Sequence, residues 1–329
     1  MEEENVLKDK FQRQIKYLRL AVTDRCNLRC TYCMPEHMQF VKKNQLLSFE
    51  EMLKVVEILA KNGVEKVRIT GGEPFVRNGL MDFLSKLVKI EGIKKVGITT
   101  NGVLLDKYLD QLKEIGVTSI NLSLDATSKE KFFEITRRDD FDKVYAALEK
   151  MVALNFDVKI NMVVMEGKNT EEIIPLANYA KKFPIEVRYI EEMPFNGKGK
   201  TVTKSWNHLE IENELKKGFP DLTSIDTSKS NTAQLFQSNK MKGRVGIIPA
   251  FTRSFCGSCD RLRLTSLGEI RNCLYAKSGL NLKEALRSNI SDDEILELIQ
   301  SHLSTKKKSG WEEEKENTDQ LDSMSLIGG

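Results

Sequence analysis

Apolar and polar positions change period at regular intervals along this chain. Short alternating runs rich in Val and Ile, at 17–22, 65–70, 95–100, 118–124, 157–164 and 185–190, are separated by stretches of helical period near 48–61, 78–90, 105–115, 141–154 and 170–182. The tripeptides "KNG", "TNG" and "EIG" supply helix stop signals. Six strands interleaved with helices favour parallel pairing through right-handed crossovers, which predicts an α/β fold, either a partial barrel or an open doubly wound sheet.

Side chains alternate between the two faces of a strand, so each run separates into two sets. In "INLSLD", Ile120, Leu122 and Leu124 share one face and Asn121, Ser123 and Asp125 the other. The same division groups Lys159 with Asn161 and Arg68 with Thr70, and sets Arg19 opposite Leu18 and Leu20. A closed eight-stranded barrel fills its interior with branched apolar side chains. These faces are too polar for that, and the expectation is an incomplete (β/α)6 TIM-type barrel over residues 1–194, with a lumen that holds a charged ligand. The competing reading, polar residues facing solvent on an edge strand, suits any one strand but not four together.

Beyond the repeating unit, residues 195–302 read as a smaller C-terminal α+β layer, and 303–329 as a charged flexible tail that ends in Gly328 and Gly329. The 51 basic and 48 acidic residues nearly cancel, so bulk charge selects neither a nucleic-acid nor a membrane partner. The acidic start "MEEENVLKDK" is unlike a secretory signal and no apolar run is long enough to span a bilayer, which together predict a cytoplasmic protein. Six cysteines in such a compartment point to metal binding or catalysis rather than disulfides.

The cysteines form two groups of three: Cys26, Cys30 and Cys33, then Cys256, Cys259 and Cys273. Structural zinc needs four Cys or His ligands, and the three histidines are His37, His208 and His302, so a Cys3His site with His37 stays open as an alternative. Three thiolates on a four-iron cluster leave one iron free to coordinate something else.

"CNLRCTYC" has the C-x3-C-x2-C spacing of the radical S-adenosylmethionine superfamily, and "RITGGEP" resembles that family's glycine-rich motif. Within it, "LRLAVTDRCNLRCTYCMP", "TTNG", "NLSLDA" and "FCGSCDRLRLTSLGEIRNCL" together resemble the GTP 3',8-cyclase family over nearly the whole chain.

The resemblance implies two 4Fe-4S clusters, the first chelating S-adenosylmethionine on its open iron and the second, in the C-terminal layer, contacting the guanine of GTP. It implies that Tyr32, Gly72, Glu73, Ser123, Arg188 and Met193 line the S-adenosylmethionine pocket. Arg19, Arg68, Thr99, Lys159, Arg261, Leu262 and Arg263 would bind GTP, with Arg188 also able to serve it and Arg261 and Arg263 taken as catalytic beside the first three cysteines. Hydrogen abstraction from C3' of the ribose and attack on C8 would then give 3',8-cyclo-7,8-dihydro-GTP, in the first step of molybdenum cofactor biosynthesis. Expected partners are an electron donor such as flavodoxin or ferredoxin, a downstream cyclic pyranopterin monophosphate synthase and a second copy of the chain. The alternatives are a peptide-modifying radical enzyme with an auxiliary cluster, which predicts more C-terminal cysteines, and a zinc-stabilised module or ferredoxin-like carrier, which would close its sites with four ligands.

Overall fold

The computed structural model describes residues 6–195, 206–226, 232–288, 290–315 and 323–328; Gly329 and the opening "MEEEN" lie outside them. Six parallel strands form where the alternating runs stand: β1 Tyr17–Ala21, β2 Lys66–Thr70, β3 Lys95–Thr100, β4 Ser119–Ser123, β5 Asp157–Val164 and β6 Glu186–Glu191. The crossovers carry α1 Phe49–Lys61, α2 Leu80–Leu87, α3 Leu109–Glu114, α4 Lys129–Thr136, α5 Phe141–Ala153 and α6 Ile173–Lys182. Ser48 and Glu51 close a capping box that starts α1, and Gly63 and Gly116 take the left-handed backbone expected of stop signals. Leu18, Leu20, Val67, Ile69, Ile120, Leu122 and Ile160 are fully buried in one core with Val55, Leu84 and Leu148 of the helices. Burial of that apolar face leaves the polar face of the strands turned the other way.

Residues beyond 195, expected as an appended layer, instead lengthen the same sheet at both edges. β7 Thr223–Ile225, β8 Gln234–Gln237 and β9 Arg244–Ile248 continue from β6, with β9 parallel to it. β10 Arg261–Leu264, β11 Glu269–Arg271 and β12 Leu280–Asn281 continue from β1, with β10 parallel to it. Twelve strands among the described residues thus form one mostly parallel, barrel-like sheet whose outermost strands, β12 and β7, do not pair to close it. Backbone pairing explains the difference: the parallel edges of β1 and β6 offer unpaired N–H and C=O groups, and the C-terminal strands satisfy both.

The expected flexible tail is also different in its described part. After α7 His208–Gly218, α8 Lys283–Arg287 and α9 Asp292–Ser304, the chain packs back as α10 Gly310–Lys315 and α11 Met324–Ile327. Lys306, Gly310, Ser325 and Ile327 are buried. Charge-rich composition reads as mobile only when no partner waits for it, and here Arg13 and Arg253 provide one.

Candidate active site

The polar faces of the strands and both cysteine groups line a single cavity of about 620 Å³. Arg19, Arg68, Thr99, Ser123, Lys159 and Arg188 reach it from β1 to β6, and Arg261 and Arg263 from β10. Tyr32, Gly72, Met193 and all six cysteines complete the match with the expected residues. Leu262 is the exception on β10: it lies between two inward arginines, so the alternation turns its side chain into the core, where it is fully buried beside Leu18. Glu73 is a second correction. It is fully buried off the cavity wall and accepts from Thr100 Oγ1 at 2.8 Å, Asn101 N–H at 2.7 Å and Phe75 N–H at 3.1 Å.

The first cysteine loop is held from three sides. Its Arg29 and Thr31 N–H groups donate to the carbonyls of Thr136 and Ile135, at 3.0 and 2.9 Å, which are end carbonyls of α4 with no partner inside the helix. Asn101 Nδ2 faces Cys26 Sγ at 3.7 Å and the Leu28 N–H faces it at 3.4 Å. The glycine loop seals the third side, since Gly72 donates to the Thr23 carbonyl at 2.7 Å and Glu73 to that of Arg25 at 2.8 Å. A Cβ on Gly72 would stand 2.6 Å from the Asp24 carbonyl oxygen and closer still to that of Arg25, so glycine is required here by the cysteine loop itself. Tyr32 donates to Asp125 at 2.8 Å, and burial lifts the Asp125 carboxyl to about 6.

Burial raises the thiols of Cys26 and Cys273 to about 11 and that of Cys33 to about 12. Cys259 behaves differently: burial opposes ionisation, yet Lys306 and Arg261 pull the thiol below its ordinary value.

Cations crowd the strand wall of the cavity. The strand register sets Arg263, Arg19 and Arg68 side by side on β10, β1 and β2, and Arg261, Tyr17 and Lys66 side by side two residues earlier. Lys159 and Arg188 carry their own counter-ions in Asp157 and Glu186. Arg19, Arg68 and Arg263 pair with no carboxylate among the described residues, and burial lowers Arg19 and takes Arg263 down to about 9. Burial would raise the Tyr17 phenol, but Arg68, Arg19, Lys66 and Arg261 bring it to about 7, and its oxygen accepts from Arg68 Nε at 3.0 Å. Tyr17 and Lys66 were missed in the sequence; counting back two residues from Arg19 and Arg68 finds both. Buried polar atoms without hydrogen-bond partners among the described residues, the donors Arg19 Nε and Arg261 Nε and the acceptors Asn121 Oδ1 and Asn161 Oδ1, belong to the same wall, where Arg261 Nε has Asp260 as an ion-pair neighbour at 3.8 Å. Packed like charges and orphaned donors both cost free energy, so the cationic part of this wall suits an anionic ligand, while the two amide oxygens call for donors.

The comparisons with known proteins can be set against this geometry. The model of the radical SAM superfamily matches residues 20–180, and that of Molybdenum Cofactor Synthesis C matches 185–311. A GTP 3',8-cyclase of Clostridium perfringens is 40% identical over 98% of this chain and 100% of its own. The chain belongs to the GTP 3',8-cyclase family. Human molybdenum cofactor biosynthesis protein 1 is 38% identical over 92% of the chain, which spans 48% of that longer protein. In fold, the family member resembles Streptococcus suis SuiB bound to its precursor peptide SuiA, with a TM-score of 0.62 at 15% identity over 99% of this chain and 77% of that one. Membership of the radical SAM superfamily implies one 4Fe-4S cluster and S-adenosylmethionine. The donor set fits, with three free thiols converging on one cavity beside Tyr32 and Gly72. Among the described residues no helix is long and apolar enough to cross a membrane.

Proposed function

We propose that this protein converts GTP to 3',8-cyclo-7,8-dihydro-GTP by hydrogen abstraction at C3' and attack on C8, the first step of molybdenum cofactor biosynthesis. The observation that carries the reading is the meeting of two cysteine triads and an uncompensated arginine wall on one cavity. Cys26, Cys30 and Cys33 would hold the cluster that binds S-adenosylmethionine, with Tyr32, Gly72, Ser123 and Met193 around that cofactor. Together these groups supply, when bound, a carbon radical able to take hydrogen from an unactivated C–H bond.

Cys256, Cys259 and Cys273 would hold a second 4Fe-4S cluster toward the guanine. Arg19, Arg68, Arg261 and Arg263 would grip the triphosphate, arginine's planar fork being suited to phosphate oxygens, with Thr99 and Lys159 beside them. Arg188 would serve either ligand. Arg68 and Arg263 are buried, which strengthens their contacts with an anion relative to those made in open water. Residues 1–194 would form the radical-generating unit and 195–302 the substrate unit. We assign an electron donor such as flavodoxin or ferredoxin, a cyclic pyranopterin monophosphate synthase as consumer of the product, a homodimer and a cytoplasmic location as the setting of the reaction. SuiB shares the fold alone, and a peptide substrate would leave the arginine wall uncompensated.

The test is anaerobic reconstitution with GTP, S-adenosylmethionine and dithionite, the products being identified by mass. In parallel, GTP should bind at least about 100-fold more tightly than guanosine, since several charge-assisted contacts of roughly 1.5–3 kcal/mol each are lost together. Equal affinity for the nucleoside overturns the assignment.

A further inference from the structure

Two sulfurs of the second cysteine group are met by donors from one segment, the stretch just after α9 whose composition suggested a mobile tail. Lys306 lies 3% exposed, and its ammonium donates to the carbonyls of Arg261 at 2.6 Å and Asn272 at 2.8 Å. Its third direction faces Cys259 Sγ at 3.9 Å. Four residues on, the Gly310 N–H faces Cys256 Sγ at 3.5 Å. That N–H is one of the opening donors of α10, for which the helix itself has no acceptor.

The segment is fixed by two arginines rather than by a core of its own. Arg13 reaches Cys256, Lys307 and Lys308 through their carbonyls, at 2.9, 2.6 and 3.0 Å, so one guanidinium binds the cysteine loop to the strap. Arg253 is stacked between the rings of Tyr275 and Trp311, with its guanidinium carbon 3.5 and 3.9 Å from the two centroids, and donates to Glu314 at 2.7 Å. It holds this position from a left-handed backbone, φ +58°, three residues before Cys256. Gly310 is closely packed, since a Cβ there would stand 3.1 Å from Arg253 Cδ and 3.2 Å from the Tyr275 ring, so that the clasp would have to shift by a few tenths of an ångström to admit it. Among the described residues this buried ammonium is answered by two neutral carbonyls and by no carboxylate, and the sulfur of Cys259 with whatever it binds is the group within its reach that can carry negative charge.

We infer that residues 306–314 form a strap that positions the second cysteine group, with Lys306 and the Gly310 N–H as sulfur-directed donors and the Arg253–Trp311 stack as its clasp. This rests on the reading that Cys256, Cys259 and Cys273 hold a cluster. Hydrogen bonds and positive charge at the sulfurs stabilise the reduced, more negative form of a cluster, and so raise its potential.

The experiment uses the full chain, reconstituted anaerobically, with iron counted per chain and the two clusters distinguished by electron paramagnetic resonance with and without S-adenosylmethionine. A triple variant, Cys256→Ala with Cys259→Ala and Cys273→Ala, calibrates the signal of the second cluster. Lys306→Met should lower the midpoint potential of that signal, and reduce its occupancy, while the S-adenosylmethionine-responsive signal stays unchanged. Trp311→Ala, which removes a 43% exposed ring and neither donor, should loosen the clasp and reproduce the loss of occupancy in part. Trp311→Ala also decides the matter should Lys306→Met fail to fold. If the triple variant retains all its iron, the second-cluster reading itself falls. If the triple variant loses about half its iron but neither single variant moves the potential or the occupancy, the strap is mere packing and the inference is wrong.

Discussion

Glu73 shows how a side chain can belong to a motif and yet not line the cavity beside it. It follows Gly72 directly, but its carboxyl turns inward to join the glycine loop to Thr100 and Asn101, and Asn101 in turn meets Cys26. Loop residues have no fixed period, so the sequence could place Glu73 beside the pocket without saying which way it points. Leu262 was within reach of sequence reasoning, since the alternation that aims Arg261 and Arg263 inward aims it outward. Burial lifts the Glu73 carboxyl from 4.5 to about 7 against three hydrogen bonds that favour ionisation. The folded protein therefore holds a proton that the unfolded chain releases between those values, and stability falls as pH rises through that window. Asp125, lifted to about 6 by burial, acts in the same direction. The cluster-free protein should lose about 3 kcal/mol of unfolding free energy from Glu73 between pH 4.5 and 8. Urea titrations across that range should show the decline, and Glu73→Gln should make it shallower above pH 6, leaving the share that Asp125 contributes below. An equally steep decline in the variant would mean that Glu73 is not its source.

At the scale of elements, the six strands were legible to within about a residue because alternation ends where glycine and polar residues begin. α4 was not. Its sequence "KEKFFEIT" buries only Phe132, Ile135 and Thr136 and leaves Phe133 exposed, too little apolar periodicity to separate it from a loop. Yet its end carbonyls hold the cysteine loop, so the helix with the faintest pattern carries a large share of the site. The sheet extensions were hidden for another reason: pairing of β10 with β1 joins residues far apart in the chain, which local pattern does not record. Register also gives Gly97 a reason. It lies opposite Arg68 on β3, and a Cβ there would stand 2.8 Å from the guanidinium. Gly97→Ala should leave the strand intact, because the far end of a flexible side chain can move. It should displace Arg68 from Tyr17, Ile98 and Ser119, its three partners. The expected result is a folded protein with a lowered melting temperature, since Arg68 loses buried partners, and GTP affinity reduced about tenfold, one charge-assisted contact. Unchanged affinity would remove Arg68 from the phosphate wall.

For the molecule as a whole, the C-terminal residues decide how the two halves of the cavity are joined. Ser323 donates to the Cys33 carbonyl at 2.7 Å, Ile327 packs on Tyr275 and Phe195, and the Gly328 carbonyl accepts from Arg263 at 2.6 Å. Six residues thus run from the first cysteine group to the arginine wall beside the second. None of this was visible in the acidic run that precedes them, because composition reports what a segment can bury alone and not what the rest of the chain offers it. Gly328 adopts a left-handed backbone, φ +77°, and a Cβ on it would stand 2.7 Å from Thr70 Oγ1 and 2.9 Å from Ala21 Cβ. Removing Gly328 and Gly329 should leave both cysteine groups and the core untouched, while Arg263 loses the acceptor that orients it. S-adenosylmethionine cleavage without coupling to product should then persist, and formation of the cyclised nucleotide should fall at least tenfold, the equivalent of about 1.4 kcal/mol in the barrier. Iron content and 5'-deoxyadenosine release, measured beside the nucleotide product on the same preparation, separate this outcome from loss of bound iron. Gly328→Ala should act in the same direction, since alanine strains that backbone and crowds Thr70. Cyclisation at the parent rate in the shortened chain would show that Arg263 needs no such partner, and that the tail merely fills space.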